Sequence, residues 1–263
     1  MLIVFVLVLI GTVLKGLAAL EGSKAAFVDL LTCIANLVAM GAVYQATRIA
    51  SMPADRDHPY GHKRFEAAGV LWVTVIYGFI SGYAAAELLL EPPAHTIPLA
   101  AAYYATAGIV AYAAAILLAR RMGLAGKAYA AFTFSEIYEG VATVIAALGG
   151  SLINPLIDLI IAWGLLAYLL YELYEHVMEV TELITERVPP ELIEAIEREL
   201  EKRGLHVVSV RLRPVLPGEY IGDAIVRVDS DSLREAHRVV DEVEEVLRQR
   251  RVILTIHYEP VEK

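Results

Sequence analysis

The run Asp55-Arg56-Asp57-His58-Pro59-Tyr60-Gly61-His62-Lys63-Arg64-Phe65-Glu66 gathers carboxylates and two imidazoles within a few turns of chain. Aspartate oxygen and neutral imidazole nitrogen are ligands that zinc-like divalent cations accept. Asp55, His58 and His62 are therefore candidate metal ligands, with Asp57 as an additional donor. A plainer reading stands beside this one, in which Pro59-Tyr60-Gly61 shapes a turn and the imidazoles only cap it. Long apolar runs flank the stretch on both sides. Ionisable groups at a membrane border are costly unless used, which favours a functional site facing the cytoplasm.

The elements that must position these residues are membrane spans. The chain is 57% hydrophobic, with a mean hydropathy of +0.56, too apolar for an ordinary soluble domain. Six apolar segments are predicted as helical spans: Met1–Leu20, Ala25–Ala50, Ala67–Leu90, Ile97–Leu118, Ala128–Leu148 and Ile153–Leu173. Each approaches or exceeds the ~20 residues that cross a hydrocarbon layer about 30 Å thick. Met1–Leu20 is read as a span rather than a signal peptide, because it lacks a basic leading region and Lys15 interrupts it. Glu21–Lys24, Glu91–Thr96 and Gly149–Pro155 make outer turns, and among them only Lys24 is basic. Arg48, Arg56, Lys63, Arg64, Arg120, Arg121 and Lys127 fall in the other loops. The positive-inside rule then places both termini and the Asp55–Glu66 loop in the cytoplasm of an integral membrane protein.

Charge divides the chain unevenly. Of 22 Lys/Arg and 31 Asp/Glu, residues 179–263 hold 13 and 19. That tail is predicted as a soluble domain, leaving residues 1–178 as the six-span all-α membrane domain. Its net negative charge argues against a nucleic-acid partner. No nucleophile–base set or phosphate-binding loop is visible, so an enzyme is not expected. Cys33 is the single cysteine, so no disulfide framework forms within one chain. Within the tail, Pro189–Arg203 and Ser232–Arg248 have helical periodicity, while His206–Arg213, Tyr220–Asp229 and Val252–Tyr258 read as strands. The order helix–strand–strand–helix–strand predicts a small α+β module of the ferredoxin-like kind, a module that often pairs with its own copy.

Several motifs together resemble the cation diffusion facilitators, a family of dimeric divalent-metal/proton antiporters. Leu14-Lys15-Gly16 through Glu21-Gly22-Ser23-Lys24-Ala25 resembles the family's first span and turn. His58-Pro59-Tyr60-Gly61-His62-Lys63-Arg64-Phe65-Glu66 resembles its most specific motif. Glu136–Val141, Asn154-Pro155, Ala236-His237 and Thr255–Pro260 resemble its fifth span, sixth span and tail. The resemblance implies a metal site at Asp55, His58 and His62. It implies another at His237, His257 and Glu259, near the dimer interface, with Asp223 in place of a histidine missing near Ala224. The plain alternative is that these tail residues lie on the surface without a ligand.

The resemblance also implies a transport site of two ligand pairs on the second and fifth spans, each pair one turn apart. Those positions fall on Thr32 and Asn36, and on Phe132 and Glu136, so only Glu136 keeps a carboxylate. Asp29, Thr32, Cys33 and Asn36 share one helix face, and Glu139 follows Glu136 by one turn, so Asp29 and Glu139 are expected to assist. Cys33 is expected as a small core residue rather than a ligand. Such an oxygen-donor set suits Mn²⁺ or another hard ion better than zinc. Lys63 and Arg64 are assigned to anionic headgroups, and Tyr112, among other tyrosines, is read as an interfacial or packing aromatic. The expected function is a divalent-cation exporter (Zn, Mn, Fe or similar) that exchanges metal for protons, with the ion both substrate and regulator. The alternative is a non-transporting member with a metal-sensing or scaffold role. Membrane lipid and a second copy of the chain are the expected partners.

Overall fold

The computed structural model describes residues 2–92, 94–121, 134–229 and 232–260. It divides into two compact units, one of Met1–Val43 and Trp72–His176, the other of Tyr44–Leu71 and Val177–Lys263.

The first unit is helical. Its helices belong to α1 (Leu2–Leu20), α2 (Lys24–Ala50), α3 (Phe65–Leu90), α4 (Leu99–Ala119), α5 (Ser135–Leu152) and α6 (Pro155–Ile184). Among the described residues, five of these are long and apolar enough to cross a membrane, all but α5. Glu136 and Glu139 near its start lower the apolarity of α5. The predicted beginning of that span at Ala128, together with Lys127 and Phe132, lies outside the described residues. The last helix runs beyond the expected Leu173 to Ile184, because no proline or glycine interrupts Tyr174–Ile184.

Small residues set how closely these helices approach. Ala18, Ala25, Ala26, Ala35, Ala101 and Ala105 are buried at the contacts, as expected where packing rather than water drives association. Gly11 on α1 faces α4, and a Cβ there would lie 2.5 Å from the Tyr112 ring. At Gly108 a Cβ would meet the Lys15 stem at 3.2 Å and the Gly11 carbonyl at 3.3 Å. These two glycines let α1 and α4 close over the Lys15 side chain. The outward faces carry Phe5, Leu9, Trp72, Phe79 and Leu117, all exposed; such a surface suits hydrocarbon rather than water.

The turn between α1 and α2 is fixed by α6. Gly22 takes φ +96°, a conformation that costs glycine little. Ser23 caps α2, accepting from the Ala26 N–H at 3.1 Å. Its own hydroxyl donates to Asp158 Oδ1 at 2.6 Å, while Asp158 Oδ2 accepts from the N–H groups of Lys24 at 2.6 Å and Ala25 at 3.3 Å. A buried carboxylate from α6 thereby satisfies the open N–H groups of α2 and complements its dipole.

The second unit holds a three-stranded sheet of β1 (Leu205–Leu216), β2 (Glu219–Val228) and β3 (Val252–Pro260), with helices α7 (Pro190–Glu201) and α8 (Leu233–Gln249). The hairpin β1–β2 is antiparallel and turns at Gly218, φ +79°. The pairing of β2 with β3 is parallel, so α8 serves as the crossover. Ile196, Leu200, Ala224, Val226, Val240, Val243, Leu247 and Leu254 form the core between sheet and helices. This is the element order predicted from the alternating and helical patterns.

Asp158→Ala should lower the thermal midpoint of the full chain in detergent, at a cost of about 2 kcal/mol, because it strands two N–H groups and the Ser23 hydroxyl. An unchanged midpoint would show that solvent or lipid headgroups satisfy the start of α2 instead.

Candidate ion sites

Inside the helical unit, α2 presents Asp29, Cys33 and Asn36 along one face toward Glu136 of α5. The ligand atoms of Asp29, Cys33 and Glu136 all lie within 4.8 Å of one another, and all three residues are buried. The Cys33 thiol donates to Glu136 Oε2 at 3.0 Å. The Asn36 amide donates to Glu136 Oε1, and Tyr77 of α3 donates its hydroxyl to Asn36 Oδ1. Both faces of the Glu136 carboxylate are therefore engaged.

At the centre of this group stands Lys15 of α1, with 1% of its side chain exposed. Its Nζ donates to Asp29 Oδ1 at 2.7 Å, to Cys33 Sγ at 3.1 Å and to Glu136 Oε2 at 3.3 Å. The ring of Tyr112 lies below the ammonium, 4.5 Å from centroid to Nζ, within reach of a cation–π contact. The Tyr112 hydroxyl shares a 3.0 Å hydrogen bond with Thr12. Isolated charges at this depth would be prohibitive, and the ion pairs make the cluster tolerable.

This differs from the sequence reading in three respects. Cys33 places a sulfur within the buried group, so a donor set drawn from that group would not be oxygen alone. Thr32 is buried but donates its hydroxyl to the Val28 carbonyl at 3.2 Å, the common habit of threonine inside a helix. Of the two roles read for Tyr112, interfacial or packing, it takes the packing one; only 2% of it is exposed, and it sits under the ammonium. Lys15, read from the sequence only as an interruption, is the hub of the cluster. A lysine in the middle of an apolar span is itself a functional-site signal, and it was available in the sequence. Glu139 is buried one turn beyond Glu136, with its Oε1 unpartnered among the described residues; Asp29 Oδ2 is likewise unpartnered.

Asp55, His58 and His62, the loop residues that the resemblance implies as a metal site, lie together. The ligand atoms of Asp55, His58 and His62 lie within 4.8 Å of one another. Asp55 Oδ1 accepts from the His58 N–H at 2.7 Å and the Asp57 N–H at 3.0 Å, an Asx-turn that shapes the loop. The hydrogen bond from the His58 N–H and the neighbouring imidazoles hold the Asp55 carboxyl below the usual carboxylate range. Gly61 takes φ +84° and bends the chain so that His62 comes back beneath Asp55. His62 is 5% exposed, its Nε2 lies 3.4 Å from Asp55 Oδ2, and its Nδ1 is 3.0 Å from the Pro53 carbonyl. A proton on Nδ1, donated to that carbonyl, leaves Nε2 free to ligate. Phe65 packs on both imidazoles, with ring centroids 5.4 and 5.6 Å away. Asp57 is not part of the group.

Lys63 and Arg64, assigned above to lipid headgroups, instead face acidic residues of the same unit, Glu219 at 2.8 Å and Glu186 at 3.8 Å. In the tail, His237 lies 3.7 Å from Asp241, and His257 lies 3.6 Å from Glu259. Asp223 is taken up by Arg211 at 2.8 Å. Among the described residues of the chain, His237, His257 and Glu259 do not meet in a group of ligands.

The architecture has close parallels. A family model of the cation efflux transmembrane domain matches residues 1–185, and one of the cation efflux protein cytoplasmic domain matches residues 188–261. The manganese efflux system protein MneS of Bacillus subtilis is 24% identical over 257 residues, covering 92% of this chain and 87% of the relative. MneP from the same organism is 26% identical, with coverage of 95% and 89%. The magnetosome protein MamM of Magnetospirillum gryphiswaldense is 28% identical over 242 residues, with coverage of 85% and 74%. With both family domains matched in tandem over nearly its whole length, the chain belongs to the cation efflux family, the cation diffusion facilitators, whose members transport metal cations.

Proposed function

We propose that the protein exports a divalent cation in exchange for protons, and that the cation binds at Asp29, Cys33, Asn36 and Glu136. The observation that carries this reading is the buried convergence of Asp29, Cys33 and Glu136 within 4.8 Å. Carboxylates held without solvent between helices are expensive and persist where they bind an ion. Coordination requires deprotonated ligands, so ion binding and proton release are linked, the chemical basis of antiport. Two oxygen-bearing carboxylates, an amide and one thiol make a mixed set that accepts Mn²⁺ or Fe²⁺ and does not single out zinc. Two of the relatives are named as manganese efflux proteins, and Mn²⁺ is accordingly the first ion to test. Glu139, one turn along α5, belongs to the ion's path on this reading, whereas Thr32 lines it without ligating.

On the same reading Asp55, His58 and His62 bind a second divalent ion at the cytoplasmic border, with the positive-inside pattern as the support for that orientation. The tail unit forms the homodimer, and His237, His257 and Glu259 would bind a regulatory ion only with help from the second copy. A second reading is favoured by one observation, the Lys15 ammonium among the ligands: a site neutralised permanently by its own lysine would serve a scaffold or sensor rather than a transporter.

In proteoliposomes with an imposed pH gradient, the wild type should move Mn²⁺ and Glu136→Gln should reduce the flux to the protein-free background. Normal flux by Glu136→Gln would reject this site, and no flux of Mn²⁺, Fe²⁺ or Zn²⁺ by the wild type would select the second reading. Separately, His58→Ala/His62→Ala should lose one bound divalent ion per chain in a titration, while an unchanged stoichiometry would make the loop purely structural.

A further inference from the structure

Lys15 occupies the place in which the ion of the proposed transport site would sit. Its ammonium lies within 3.3 Å of a ligand atom from each of Asp29, Cys33 and Glu136. The same three residues form the buried group with metal-binding spacing. A divalent ion held among these side chains and an ammonium bonded to all three compete for the same small volume and for the Cys33 sulfur and the carboxylate oxygens around it. The two cannot be held there together.

We infer that Lys15 is a tethered cation that fills the transport site when no metal is bound, and that the metal must displace it to bind. This rests on the proposed transport site and adds the identity of the ion's competitor. Charge makes the exchange reasonable. Without metal or the Lys15 ammonium, Asp29 and Glu136 would face each other buried with no ion-pair partner among the described residues, and removing the cation from such a group is strongly destabilising. The ammonium supplies the missing charge from inside the protein.

The surroundings also provide somewhere for the ammonium to go. Asp29 Oδ2 and Glu139 Oε1 are buried and carry no hydrogen bond among the described residues. The Tyr112 ring already lies 4.5 Å from Nζ, and a lysine stem has four rotatable bonds. Gly108 leaves the space along that stem, where even a methyl group would press on Lys15 Cγ at 3.2 Å. A displaced Lys15 therefore keeps an anionic or aromatic neighbour without leaving the cavity.

A tethered competitor lowers apparent affinity by the fraction of time the site is free. If the ammonium holds the site for nine-tenths of the time or more, its removal should strengthen Mn²⁺ binding about tenfold or more. The experiment is isothermal titration of the full chain in lipid nanodiscs with Mn²⁺, taking the part of the binding that Glu136→Gln abolishes. Lys15→Met should bind Mn²⁺ at least about tenfold tighter than the wild type, and Lys15→Arg, which keeps the cation, should show no gain. Lys15→Gln provides a neutral polar replacement should the methionine variant fold poorly, and it should show the same gain. Wild-type or weaker affinity in folded Lys15→Met or Lys15→Gln would overturn the inference while leaving the ion site standing. The absence of Glu136-dependent Mn²⁺ binding in both the wild type and the neutral variants would overturn the site itself, and the inference with it.

Discussion

Three helices are tied together by one buried ammonium. Lys15 on α1 reaches Asp29 and Cys33 on α2 and Glu136 on α5, and the cluster has no solvent exposure to soften its charges. In hydrocarbon or a dry protein interior, two carboxylates cannot stand without a cation, and a cation cannot stand without them. Much else follows from that requirement. The α1–α4 contact must be close enough to press the lysine stem inward, which Gly11 and Gly108 permit. The Tyr112 ring must be beneath the ammonium, and its hydroxyl is held by Thr12. Asn36 must turn its amide toward Glu136, and Tyr77 fixes that orientation by donating to the amide oxygen.

The two candidate ion sites are built on opposite principles. The loop group at Asp55, His58 and His62 is local, preorganised by an Asx-turn, a left-handed glycine and the aromatic face of Phe65, and partly open to water. An ion can reach it with little rearrangement. The buried group is non-local and already filled by a charge of the protein's own. Its donors are a carboxylate, a thiol and a second carboxylate, with an amide behind them. On the proposed function, a site of that kind suits passage better than storage, because a tethered competitor would keep the ion from being held too tightly.

What the sequence made legible depended on how far apart the contributing residues lie. The candidate loop ligands Asp55, His58 and His62 fall within a few residues, so their types, their spacing and the family resemblance could pick them out together. Helical periodicity gave the Asp29–Cys33–Asn36 face, and alternation gave the strands of the tail. The pairing of α1 with α2 and α5 is another matter, since Lys15 and Glu136 are 121 positions apart, and helix-to-helix register is set by small-residue packing that leaves no periodic trace. For that reason Lys15 passed as an interruption, Tyr112 as an interfacial or packing aromatic and Cys33 as a small core residue. The headgroup assignment for Lys63 and Arg64 failed for a related reason: their acidic partners Glu219 and Glu186 lie far along the chain. Of the positions suggested by the family pattern, Asn36 and Glu136 meet in the buried cluster, while Thr32 does not reach it. Thr32 turns its hydroxyl to its own helix, and Asp29, one turn earlier, carries the carboxylate that meets the ammonium.

The most direct test is anomalous diffraction at the manganese edge from crystals of the full chain equilibrated with Mn²⁺. A peak bounded by Asp29, Cys33 and Glu136, with the Lys15 ammonium moved off those atoms, is the predicted result. Manganese found only at the loop, with Lys15 still bonded to Asp29 and Glu136 at saturating metal, would contradict it.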